Sequence, residues 1–104
     1  MSFTQSYKEY ILEQLELVGL ECTSKNMFGG VCIFYNNKAI ALISGDELYF
    51  KVDDKTINDY IEFESKAFSP FKTYKMKYYT VPENIIEDKE ELRMLVNKVL
   101  EILK

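Results

Sequence analysis

Two cysteines, Cys22 and Cys32, a scatter of acids (Asp46, Glu47, Asp53, Asp54, Asp59) and the pair Gly29-Gly30 are the residues here with the chemistry of a nucleophile, a metal ligand or a phosphate cradle. None has the company it would need. The chain contains no histidine, which removes Ser-His and Cys-His activation, the commonest metal ligand and the usual proton shuttle near neutral pH. The cysteines are separated by nine residues rather than by the two of a redox or zinc motif, and read as reduced, buried, small hydrophobes. Lys25 is the only nearby cation to depress the Cys22 thiol. The acids match no calcium loop and are better spent on turns and helix caps. Gly29-Gly30 begins neither a GxGxxG nor a GKS/GKT pattern, and a strand rather than a helix follows it, so it reads as a bend. The expectation is of no catalytic residue, no metal site and no cofactor.

One stretch is less easily dismissed. From Lys66 to Lys77 inclusive there are four lysines and no acid, with Phe68, Phe71 and Tyr74 among them and Tyr78-Tyr79 just after. Lys72, Lys75 and Lys77 with an exposed aromatic such as Tyr79 make a strip on which bases stack while lysines meet phosphate. The same composition serves a protein partner, because tyrosine offers large contact area at low entropic cost. A soluble sheet face accounts for it without any ligand. The net charge of −4 speaks against direct nucleic-acid binding, since phosphate neutralisation needs clustered cations.

The elements that would position these residues centre on 25–53. Val31 to Tyr35, Ala39 to Ile43 and Leu48 to Val52 are rich in β-branched and aromatic residues, and Asn36-Asn37 and Ser44-Gly45-Asp46 separate them, a pattern of two consecutive hairpins. Leu48, Phe50 and Val52 alternate with Tyr49 and Lys51, giving one apolar face; Ala39 to Ile43 is apolar throughout, which predicts a central strand or one covered on both faces. Leu20 to Met27 is polar, so if extended it lies at the sheet edge. Thr73 to Val81 predicts a further strand, with Tyr74, Met76 and Tyr78 on one side and Lys75, Lys77 and Tyr79 on a wet one.

Helices are predicted around them. Tyr7, Tyr10, Ile11, Leu15 and Val18 recur at helical spacing, with Ser6-Glu9 or Ser2-Gln5 as the capping start and Gly19-Leu20 as a left-handed stop. Asp53 or Asp54 caps a short helix through Ile57, Tyr60 and Ile61. Ser65 to Pro70 is a loop, Pro82 opens one turn to Ile86, and Asp88 with Glu91 begins a last helix striped with Leu92, Leu95, Val96, Val99, Leu100 and Leu103. Long parallel crossovers are absent. The predicted fold class is therefore α+β, one domain over 1–104 in two layers, with an antiparallel sheet of about five strands and helices mainly on one face. No basic leader precedes an apolar segment, and the longest apolar run falls far short of a span of about 20 residues, so a cytoplasmic location is expected.

With these residues in view, the chain resembles the N-terminal domain of the TfoX/Sxy family of bacterial competence regulators. The likeness is carried by Lys25 with Met27-Phe28-Gly29-Gly30, by Ala41-Leu42-Ile43 and Leu48 to Asp53, by Pro70-Phe71, by Met76 through Tyr78-Tyr79 to Val81-Pro82, and by Glu87-Asp88. It implies a secretion-chaperone-like order of helix, three strands, helix, two strands, helix, in which 20–27 and 65–70 need not be full strands. It also implies a regulator rather than an enzyme: members that act in competence promote transcription alongside the cyclic-AMP receptor protein. Full-length members carry a C-terminal domain after this one, so the chain reads as a stand-alone copy. The expected partner is a protein, such as a component of the transcription machinery, with homodimerisation through an edge strand or an aromatic sheet face also open.

Overall fold

The structure, a computed structural model, describes residues 5–27, 30–68 and 77–103. Its elements run α1 (Gln5–Leu17), β1 (Thr23–Met27), β2 (Gly30–Tyr35), β3 (Lys38–Ser44), β4 (Glu47–Lys51), α2 (Ile57–Glu62), β5 (Tyr78–Thr80), α3 (Glu83–Ile86) and α4 (Lys89–Ile102). The strands form one open antiparallel sheet in the order β1-β2-β3-β4-β5. This is the α+β architecture expected from the alternation of apolar and polar residues.

Turn chemistry sets the register of the central hairpins. Asn36 and Asn37 have φ of 51° and 66°, and Gly45 and Asp46 have 57° and 55°, so both turns have positive φ at each central residue. This mirror-image turn matches the right-handed twist of the flanking strands. Between β2 and β3 the pairing shifts from Ile33 opposite Ala41 to Phe34 opposite Ala39, leaving Ile40 as the extra residue of a bulge. The bulge turns Ile40 and Ala41 toward the same core.

That core lies between the sheet and the helices. Val31, Ile33, Ala41, Ile43, Leu48 and Phe50 meet Ile11 and Leu15 of α1, Tyr60 of α2, Ile86 of α3 and Leu92, Leu95, Val96 and Val99 of α4. Each fully buried Val, Leu, Ile or Phe among them contributes about 1.5–3 kcal/mol. The opposite sheet face holds a smaller cluster of Cys32, Leu42, Phe68 and Tyr78, edged by Phe34, Ala39 and Tyr49. Leu42 lies on the central strand and is buried on this second face, which explains why β3 is apolar at consecutive positions. Among the described residues the helices pack on the first face only.

The helix ends follow their capping residues. α1 stops where Gly19 takes a φ of 97°, its N–H bonding the Glu16 carbonyl and the Leu20 N–H bonding that of Leu15, both at 2.9 Å, the two bonds of a Schellman stop. Its start differs from one expectation: Ser6 lies inside the helix, so Ser6-Glu9 is not the capping box, and Ser2 is outside the described residues. The Asp53 carboxylate accepts the N–H groups of Lys55 and Thr56, each at 2.9 Å, while its own N–H donates to the Thr56 hydroxyl at 2.9 Å. These bonds wind the turn that leads into α2. Asp88 accepts from the N–H groups of Glu90 and Glu91 at 3.0 and 3.2 Å, capping α4 as its sequence predicts.

Strand allocation departs from the order that the resemblance implied. Four strands precede α2 and, among the described residues, one follows it. The additional early strand is β1, all five of whose residues pair with β2; its hold is the backbone ladder, which polar side chains do not prevent. The expected strand 73–81 is seen as Tyr78–Thr80, its earlier part lying outside the described residues. Lys66 to Phe68 runs along β5 through a bridge of Ala67 with Tyr79. No helix among the described residues is long and apolar enough to cross a membrane.

Candidate interaction surface

The motif residues and the predicted lysine strip fall at opposite edges of the sheet. Lys25 is exposed on β1, opposite Cys32, and Met27 closes the first hairpin opposite Gly30. Phe28 and Gly29 lie outside the described residues, as do Lys72 and Lys75. Lys77 is exposed just before β5, its carbonyl accepting the Val52 N–H at 2.9 Å. The order β1-β2-β3-β4-β5 therefore separates Lys25 from Lys77 by the breadth of the sheet.

Gly30 has a structural duty. A Cβ placed there would stand 2.1 Å from the Ile43 carbonyl oxygen and 3.2 Å from its carbon, so β2 enters the sheet against the backbone of β3 at a distance that only glycine permits. Gly30 is thus set by close approach of two strands: it opens β2 without a positive φ, so it is a strand residue rather than the bend expected at Gly29-Gly30, of which Gly29 lies outside the described residues.

Tyr79 corrects the picture of an aromatic standing out among lysines. It is half-buried, packs against the helix-side core and lies 6.3 Å from the Tyr60 ring at 50°. Tyr78, its neighbour, is buried in the second-face cluster. Both sides of β5 are covered, the physical reason being that a strand between two packed faces has no wet side to offer. Leu42 and Cys32, at 4% and 2% exposure, likewise leave no bare row of central-strand side chains on which bases could stack.

The thiols are not activated. Burial pushes Cys22 up to about 11. Cys32 is also raised by burial, against which the Lys51 ammonium pulls weakly downward. A thiol so held is a poor nucleophile at neutral pH.

The acids are occupied as turn, cap and pairing groups. Asp46 sits in the β3–β4 turn and Asp53 in the turn before α2, while Asp59 on α2 pairs with Lys98 on α4. Sequence reasoning missed one grouping. The β3–β4 turn, the end of α2 and the start of α3 bring Asp46, Glu47, Glu64 and Glu83 around a recess of about 240 Å³, with Tyr7 and Phe63 in its wall. Burial, followed by the Glu83, Asp46 and Glu47 charges, raises the Tyr7 phenol well above its ordinary range. These residues come from four separate segments, and two of them, Asp46 and Glu64, have positive φ of 55° and 60°; no local pattern announced the grouping. Among the described residues no cluster of Asp, Glu or Cys is arranged to hold a metal ion.

What these elements present is a folded sandwich with exposed lysines at its edges and hairpin geometry where the sequence motif lies. No curated protein matches the chain. The family model described as the TfoX N-terminal domain matches residues 13–102, from the middle of α1 to the end of α4, and the chain belongs to that family.

Proposed function

We propose that the chain is a non-enzymatic protein-interaction module that acts in the regulation of competence or transcription. The observation that carries this reading is the family match over 13–102, a regulatory and non-catalytic type of domain. The unactivated thiols and the acids engaged in caps, turns and an ion pair are in keeping with it. Lys25 at one sheet edge and Lys77 at the other, with Lys72 and Lys75 in the segment between Phe68 and Lys77, are the cations proposed to meet a partner. Rim lysines of this kind govern encounter and orientation more than raw affinity. A cytoplasmic site of action is part of the same proposal.

Direct binding of single-stranded nucleic acid gains little support, since Tyr79 is packed against Tyr60 and the central strands have no bare aromatic row. Affinity capture from native extract tests the leading reading. Stoichiometric recovery of a transcription factor or polymerase component is expected, weakened by reversing Lys25 or Lys77 to glutamate. Recovery of no such partner, together with salt-sensitive binding of short oligonucleotides, would replace it with the nucleic-acid reading.

A further inference from the structure

The two edges of the sheet are finished differently. Along β5 the chain closes its own edge: the Thr80 N–H bonds the Lys66 carbonyl at 3.0 Å, the Phe68 N–H bonds that of Tyr78 at 2.7 Å, and Ala67 bridges Tyr79. β1 is the first strand of the order and, among the described residues, pairs with β2 alone. One row of its N–H and C=O groups thus has no strand partner among the described residues, the kind of edge another strand can use.

A lysine on an edge strand ordinarily guards against such pairing. Whether Lys25 does so depends on register. In an antiparallel pair of identical strands related by a two-fold axis at Lys25, lysine faces lysine. With the axis at Thr23, Lys25 of each copy faces Glu21 of the other, and Ser24 faces Cys22. The run Glu21-Cys22-Thr23-Ser24-Lys25 is thus complementary in charge to its own reverse. Glu21, Thr23 and Lys25 are all exposed; Thr23 and Lys25 share a face of β1, and Glu21, two residues before the strand begins, joins that face once pairing extends the strand back through it. Neither Glu21 nor Lys25 forms an ion pair with a described residue.

We infer that the domain forms a two-fold homodimer by antiparallel pairing of the segment 21–25, the first three residues of β1 and the two before them, with the same segment of a second copy, centred on Thr23, with reciprocal Glu21–Lys25 pairs fixing the register. The contact is isologous, so each favourable pair occurs twice. Opposite charges directly across an antiparallel pair stabilise it and like charges oppose it. The inference does not rest on the regulatory reading, though both use Lys25: sedimentation of the chain alone reads the dimer, whereas Lys77→Glu, outside the seam, reads partner docking without touching it.

A charge-reversal cycle read by sedimentation and light scattering up to millimolar protein tests it. The native chain should shift from monomer to dimer as concentration rises. Lys25→Glu alone and Glu21→Lys alone should each raise the dissociation constant roughly tenfold or more, and the double reversal should restore it. Thr23→Cys, carried with Cys22→Ser, should oxidise to a covalent dimer through the cysteine on the axis. A chain that stays monomeric throughout, single reversals that leave the dimer intact, a double reversal without rescue, or no covalent dimer would each overturn the proposal.

Discussion

The carbonyl oxygen of Ile43 stands 2.1 Å from where a Cβ on Gly30 would sit. Since Val31 pairs with Ile43 across β2 and β3, the obstruction is backbone rather than a side-chain tip that can rotate away. Gly30→Ala should therefore destabilise the fold by about 1–3 kcal/mol, the usual cost of forcing atoms into packed space. Urea unfolding gives the midpoint; a variant as stable as the native chain would show that the hairpin can separate at no cost.

Asp88 offers a cleaner loss. Its Oδ1 receives the Glu90 and Glu91 N–H groups at the start of α4, and alanine there removes the acceptor of both bonds from an exposed position. Asp88→Ala should cost about 1 kcal/mol, and Asp88→Asn or Asp88→Ser should recover most of it. Equal loss in all three would mean that charge at the helix end, rather than the cap geometry, is what matters.

Asp59 and Lys98 tie α2 to α4, but their side chains remain 35% and 44% exposed. Solvent screens such a pair. A double-mutant cycle with Asp59→Asn and Lys98→Met should return a coupling below about 1 kcal/mol. The coupling should shrink further in high salt.

Alkaline pH should weaken the fold. Burial raises Cys22 to about 11 and Tyr78 to about 12, and lifts Cys32, Tyr49 and Tyr60 as well. Above the ordinary thiol and phenol values of 9.0 and 10.0, the unfolded chain releases protons that the folded chain keeps. It then binds fewer protons than the native state, so stability falls as pH rises. This contribution is complete below the unfolded values and is lost as pH climbs through the folded ones. Urea midpoints at successive alkaline pH values should decline accordingly.

The same burial governs thiol reactivity. Alkylation of the native protein at neutral pH should be slow at both cysteines, and slowest at Cys32, which is 2% exposed. The Cys22 rate should go on rising above pH 9.0, its ordinary thiol value. Rapid, selective modification of either cysteine at neutral pH would contradict the burial that holds them protonated.

Much of this architecture was legible from local pattern. Asn36-Asn37 and Gly45-Asp46 announce their turns because few other residues tolerate positive φ; Gly19 and Asp88 announce helix ends because exposed carbonyl and N–H groups need those partners. The unbroken apolar run of β3 stated that both of its faces are covered, as Ile43 and Leu42 are, in opposite clusters. Alternation along β4 separated Phe50 from Tyr49 for the same geometric reason.

Tertiary structure alone decided the rest. Alternation assigned Tyr79 to the wet side of its strand, yet α2 brings Tyr60 against it, because a side chain's solvent exposure depends on what packs above the sheet and not on its own strand. β1 was ambiguous as a polar segment; it is a strand because β2 supplies its backbone partners residue by residue. The glycine of the family motif could be read as a bend from the letters, but the reason no side chain fits at Gly30 is a carbonyl thirteen residues further along, on a neighbouring strand. Local preference resides in the residue, whereas close approach belongs to a pair of segments that meet only when the chain has folded.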